Sequence, residues 1–272
     1  MRLFELDKSR KQNVSFFKTI WETIRLEAEA VVASQSEMSS VVYPSILSHK
    51  NLDSILSYRL AQKLCTSEMS EAVLNEIIVN AYYGNEKLVE SAYLDIAAVR
   101  ERDPACHRFL QALLYYKGFL ALQAYRIANH LHAKGHNDLA YFLQMRSSEV
   151  FGVDIHPNAL IGHGIMIDHA HSIVIGETAI VGNNVSMLHS VTLGGTGKDK
   201  GDRHPKIGYG VLLGAGSSVL GNITVGRCSK IASGSVVLSN VPEYKTVAGV
   251  PAKVVGNSGC DQPSVAMDQN IN

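Results

Sequence analysis

No sign of charge prevails in this chain of 272 residues, where Lys plus Arg and Asp plus Glu stand at 25 each. Without a net field it has nothing to gather nucleic acid or an anionic membrane, so small molecules and proteins are the expected partners. Nor is there an apolar run of about eighteen residues, and "MRLFELDKSRKQN" is charged before any apolar stretch begins. That pattern argues against a membrane span and against a signal peptide. Cysteine is scarce too. Cys65, Cys106, Cys228 and Cys260 lie far apart with no C-x-x-C pair, a usage that suggests neither a disulfide framework nor a zinc finger and fits a reduced, cytoplasmic chain.

What is present falls into two halves of different period. Up to about residue 145 apolar residues recur at helical spacing, as with Phe16, Phe17, Ile20 and Ile24. "DSILSYRLAQKLC", "SEAVLNEIIVNAYYG", "LVESAYLDIAAVRERD" and "FLQALLYYKGFLALQAYRIANHLHAKG" continue the pattern, with Pro44 near a helix start, Pro104 at a boundary and Gly84 and Gly135 as stops. Their aromatic and leucine stripes read as the core of a helical domain.

From Ile155 the step becomes six: Ile155, Ile161, Ile167, Ile173, Ala179, Val185 and Val191, then Ile207, Leu213, Val219, Val225, Ile231 and Val237. Gly or Asn tends to follow three places later, where a turn is needed. One inward aliphatic and one turn in every six residues builds a coil of short parallel strands, three units to a coil, stacked as a triangular prism. The expected class is therefore α+β in two domains: helices over 1–145, a parallel β-helix over 146–256, and a polar, flexible tail over 257–272. The sixteen residues from Val191 to Ile207 break the step, so an excursion loop is expected at about 194–206, and loops that interrupt a solenoid often carry function.

The run "VDIHPNALIGHGIMIDHA" sets Asp154, His156, His163, Asp168 and His169 among residues that otherwise belong in a core. Together with "RDPA" (102–105), "SVTLGGTGK" (190–198), "GDRHPKI" (201–207), "GAG" (214–216) and "AGVPAK" (248–253), its motifs "VDIHP" and "GIMIDHA" resemble the serine O-acetyltransferases of the hexapeptide-repeat acyltransferase superfamily. The resemblance implies a left-handed coil and transfer of acetyl from acetyl-CoA to the hydroxyl of L-serine. The products are O-acetyl-L-serine and CoA, the first step of cysteine biosynthesis from serine. It also implies feedback inhibition by L-cysteine, no metal, and a homotrimer paired through the helical domains into a hexamer. In this family a C-terminal tail ending in isoleucine binds the sulfhydrylase (cysteine synthase) that follows; here Ile271 is penultimate to Asn272.

A serine hydroxyl needs a base to attack a thioester, and an imidazole steadied by a carboxylate is suited to the task. The resemblance assigns His169 as base and Asp154 as its partner; they are fifteen residues apart, close to one eighteen-residue coil, so adjacent rungs are expected to bring them together. It assigns Asp103 and Asp168 to the substrate ammonium, and Arg203, with His204 beside it, to the carboxylate. Gly195, Thr196, Ala215, Gly216 and Ser233 match the pantetheine channel, with Lys230 and Lys253 toward the phosphates. "GGTGK" is not a nucleotide loop, because Asp199 stands where Ser or Thr is required and Thr192 where the first glycine belongs.

Two other readings compete. His171 and His189, eighteen residues apart, should stack on successive coils; with His163 and His169 nearby they suggest a zinc-dependent, carbonic-anhydrase-like prism. The other is a non-catalytic scaffold whose tail engages cysteine synthase.

Overall fold

Helices form wherever the 3.6-residue stripe persists: α1 (Arg10–Ser34), the short α2 (Ser39–Val42), α3 (Leu52–Leu64), α4 (Glu71–Tyr82), α5 (Glu86–Arg102), α6 (Phe109–Tyr115), α7 (Lys117–Ala133) and α8 (Asn137–Phe151). The computed structural model describes residues 10–197 and 200–271, so Lys198 of the "GGTGK" run, Asp199 after it and the first nine residues of the N-terminal charged stretch lie outside the described residues. Side chains of Asn51 and Ser70 cap α3 and α4 by accepting from Ser54 N and Val73 N. The long run after Phe109 breaks into α6 and α7 at Tyr116, whose backbone is extended. The helical segment outlasts the expected boundary at 145. Nothing in "QMRSSEVF" halts it, and α8 ends only where Gly152 takes the left-handed conformation at φ 70.

Beyond Gly152 the strands β1 to β13 wind through three parallel sheets. Sheet A holds β1 (Val153–Ile155), β4 (Ile173–Ile175), β7 (Thr192–Gly194), β10 (Ser218–Leu220) and β13 (Val236–Val237); sheet B holds β2 (Leu160–Ile161), β5 (Ile180–Val181), β8 (Lys206–Ile207) and β11 (Thr224–Val225). Sheet C holds β3 (Met166–Ile167), β6 (Ser186–Met187), β9 (Leu212–Leu213) and β12 (Lys230–Ile231), and a hairpin of β14 (Lys245–Gly249) and β15 (Ala252–Asn257) closes it. The ordinary coil has eighteen residues, as Val174 pairs with Thr192 and Lys230 with Leu212.

Two coils are longer. Val153 pairs with Ile173, twenty residues on, and Val181 with Ile207, twenty-six on. The surplus falls between β3 and β4 in the first case and between β7 and β8 in the second, since coils that skip those junctions keep the ordinary length. This corrects the six-residue count. Ile167 is followed in its row by Ile175 rather than Ile173, because Ile155 pairs with Ile175 and Ile175 with Leu193. The slip hides in the sequence because Ile173 and Ile175 are both buried, as are Val191 and Leu193; each unit points two residues inward, two places apart.

Helices α5 and α7 dock on the first coils through a buried ion pair. Asp95, fully buried, accepts from Arg126 Nε at 2.8 Å, Gln123 Nε2 at 3.0 Å and the Ile165 amide at 3.0 Å. Arg126 in turn donates to the Gly162 carbonyl at 2.7 Å. The chain after 257, expected to be flexible, lies against the prism: α9 (Pro263–Ala266) packs on α5 and sheet C, and Ser186 Oγ donates to the Ser264 carbonyl at 2.7 Å. A polar composition allowed this because its backbone groups find partners on the prism.

Removing one member of a buried pair leaves the other charge stranded. Arg126→Ala is expected to cost about 3–5 kcal/mol of stability, measured by urea denaturation; a loss below about 1 kcal/mol would show that the domains are not held this way.

Candidate functional site

The two surplus residues between β3 and β4 cannot fit a prism side, so the corner 168–172 is pushed outward. His169, Ala170 and Ser172 take left-handed backbone at φ 58, 52 and 55, a conformation that costs a non-glycine residue about 1–2 kcal/mol. Packing holds them there. Ala170 is fully buried next to Gly118 of α7, where an added Cβ would fall 2.2 Å from the Ile167 carbonyl oxygen. The Ser190 amide donates to the His171 carbonyl at 2.6 Å.

This corner turns Asp168 and His169 into a cavity of about 920 Å³ that is also lined by Asp103, Tyr116, Lys117 and, from the tail, Met267. His169 is 65% exposed, with Nε2 at 3.4 Å from Asp168 Oδ2. Its ring stands edge-on to His189, centroids 5.6 Å apart. The twenty-residue coil therefore sets His169 over His189, and the expected stack of His171 on His189 does not form. His171 meets Lys117 instead, Nδ1 to Nζ at 2.9 Å. Among the described residues no three of His, Cys, Asp and Glu converge as a metal set.

Asp154 does not line this cavity. It points outward from the middle of β1, the first strand of sheet A, where its Oδ1 accepts from Gln144 Nε2 of α8 at 2.7 Å. No hydrogen bond or ion pair joins it to His169 within the chain, because the displaced corner carries His169 away from the sheet that holds Asp154.

The other edge of sheet A carries the excursion loop. Arg203 Nη2 donates to Glu177 Oε2 at 2.6 Å and Nη1 to the Gly201 carbonyl at 3.1 Å. Thr178 Oγ1 accepts from the amides of Arg203 and His204, at 3.0 and 3.1 Å, and lies 2.9 Å from His204 Nδ1. The Thr178 amide also donates to that Nδ1, at 3.2 Å, so the neutral ring must carry its proton on Nε2. Gly176 makes room: an added Cβ would sit 2.0 Å from His204 Nε2.

The residues assigned to acetyl-CoA follow the two edges. Ala215, Gly216 and Ser233 succeed His169 and His189 on later coils of the first edge; Gly195 and Thr196 open the loop on the second. Lys253 is exposed on the closing hairpin, whereas Lys230 is buried and donates to the Asn270 carbonyl at 2.7 Å. Ser233 Oγ donates to Gln269 Oε1 at 3.2 Å, so the tail holds atoms that the resemblance gives to the co-substrate. The chain thus gathers Asp103, Asp168 and His169 at one edge of sheet A and Arg203 and His204 at the other, and among the described residues no contact joins the two groups. Sequence reasoning missed Gln144, Glu177 and Thr178; Gly176 stood out only as a turn residue of the repeat.

A prism of hexapeptide coils with imidazoles and carboxylates along its edges defines a β-solenoid of the acyltransferase kind. Residues 20–124 match the family model described as serine acetyltransferase, N-terminal. The chain is 52% identical over 253 residues to the serine acetyltransferase of Salmonella typhimurium, covering 93% of each chain. A solved serine acetyltransferase in complex with cysteine superposes with a TM-score of 0.91 at 49% identity, covering 93% of this chain and 98% of that one. The serine acetyltransferase of Brucella abortus in complex with coenzyme A gives 0.87 at 48%, covering 89% and 97%. The chain belongs to the serine acetyltransferase family.

Burial lowers the pKa values of His130, His156 and His204 from the ordinary imidazole value. As pH falls through about 6.5 the unfolded chain takes up protons that these folded rings refuse, so stability is greatest above that value and declines below it. The melting temperature is expected to drop steadily from pH 7 to 5; a flat profile over that interval would contradict this burial.

Proposed function

We propose that the chain transfers the acetyl group of acetyl-CoA to the hydroxyl of L-serine, yielding O-acetyl-L-serine and CoA. The observation that carries this is the cavity that His169 lines with Asp103 and Asp168, an imidazole sharing a pocket with two groups suited to an ammonium. His169 takes the hydroxyl proton as the serine oxygen bonds to the thioester carbon. The tetrahedral adduct then expels the CoA thiolate, which recovers the proton from the imidazolium. Asp154 of a neighbouring copy, with one oxygen fixed by Gln144, is the carboxylate that steadies that cation. Arg203 and the Nε2–H of His204 receive the serine carboxylate. Pantetheine lies along Gly195, Thr196, Ala215, Gly216 and Ser233, and Lys230 reaches phosphate only after releasing the tail.

Since the two halves of the site stand on opposite edges of sheet A, a complete site forms between copies. We read the assembly as a trimer closed around that sheet, whose outward row of Val174, Thr192 and Ser218 is left free of helices, and as a pair of such trimers joined through the helical domains. No helix among the described residues is long and apolar enough to cross a membrane, and a cytoplasmic setting suits the free cysteines Cys65, Cys106, Cys228 and Cys260. The sulfhydrylase partner would meet the tail, where Ile271 is exposed.

Thiol release from acetyl-CoA across a panel of amino acids tests the reading. Serine-dependent turnover is expected, reduced about 10²–10⁴-fold in kcat by His169→Ala. L-Cysteine, which shares the ammonium and carboxylate of serine, should raise the apparent KM for serine in the same assay. Turnover indifferent to His169→Ala would remove the base assigned here.

A further inference from the structure

A guanidinium that grips a carboxylate must be aimed before the ligand arrives, because ordering a long side chain on binding costs affinity. Arg203 is a loop residue with only 29% of its side chain exposed. Two features aim it. Its backbone amide donates to Thr178 Oγ1 and its Nη2 to Glu177 Oε2, so consecutive residues of one prism corner hold both ends of the side chain. That corner directly follows β4, whose pairing with β1 and β7 makes it part of the rigid solenoid. The carboxyl of Glu177 is drawn below its ordinary range, first by the hydrogen bond from Arg203. Two N–H groups of Arg203 are occupied, by Glu177 and Gly201, and the rest of the donor fork stays open to a planar carboxylate.

Resting on the functional reading above, we propose that Glu177 is a positioning residue for acceptor recognition, fixing the Arg203 guanidinium so that it selects acceptors bearing an α-carboxylate. Glu177 touches no reacting atom; it acts through its hydrogen bond to Arg203, with the His156 and His204 rings also in its field. An acceptor without a carboxylate therefore gains nothing from it, and an enzyme without Arg203 loses nothing more when Glu177 is changed.

The test compares the full-length enzyme with Glu177→Gln, Arg203→Ala and the double variant, using thiol release at saturating acetyl-CoA with L-serine and L-serinamide as acceptors. Glu177→Gln keeps the size and polarity of a half-exposed side chain. It should raise KM for serine about tenfold while kcat changes less than about twofold, and lower the preference for serine over serinamide by the same factor. Added to Arg203→Ala, it should have no further effect on either parameter. An equal loss on both acceptors, or a full additional loss in the double variant, would overturn the assignment and make Glu177 merely structural. Wild-type enzyme that ignored serine would overturn the functional reading and this inference with it, whereas serine turnover insensitive to Glu177→Gln would overturn this inference alone.

Discussion

The six-residue step of the prism constrains everything else. Each side accepts a fixed number of residues between inward aliphatics, so any surplus must leave at a corner, and strands above and below must still pair. The chain adds residues at two junctions only, between β3 and β4 and between β7 and β8. These are the two edges of sheet A. The first surplus swings out Asp168 and His169, and the second carries Arg203 and His204. On the proposed function, the chemistry sits where the repeat is broken, at corners that turn Asp168, His169 and Arg203 away from the core.

Freed corners are costly, and the rest of the molecule compensates. Three left-handed residues among the four from His169 to Ser172 would not persist in an isolated loop. They persist because α7 presses Gly118 against the Ile167 carbonyl while the Asp95–Arg126 pair holds α5 and α7 to the first coils. The helical domain thus bears directly on the site's geometry. It clamps the corner that bears the imidazole, and through Gln144 it orients Asp154.

How much of this was legible depended on whether a feature repeats. The prism could be read because its inward row recurs with branched aliphatics, and the loop because the row breaks between Val191 and Ile207. The smaller surplus was invisible. A shift of two residues exchanges Ile175 for Ile173, both buried, so no count of aliphatics detects it, and the pairing of His169 with His189 was lost with it. Asp103, Asp168 and His169 were found through motifs and do share a cavity. Glu177, Thr178 and Gln144 were not, because their roles lie in contacts across coils or between domains. The tail misled for a different reason: polar composition usually means too little apolar surface to fold, yet Lys230 and Ser233 supply partners that tie it down.

On the proposed function, an imidazole at one edge of sheet A and a guanidinium at the other call for a working site that joins two copies. The most direct measurement mixes His169→Ala chains with Arg203→Ala chains, each strongly impaired alone at low serine concentration, by co-expression or refolding together. Every mixed boundary that unites an intact His169 with an intact Arg203 should work, restoring about one quarter of wild-type turnover at equal proportions. Mixtures as inactive as their components would contradict a shared site and return both residues to a single chain.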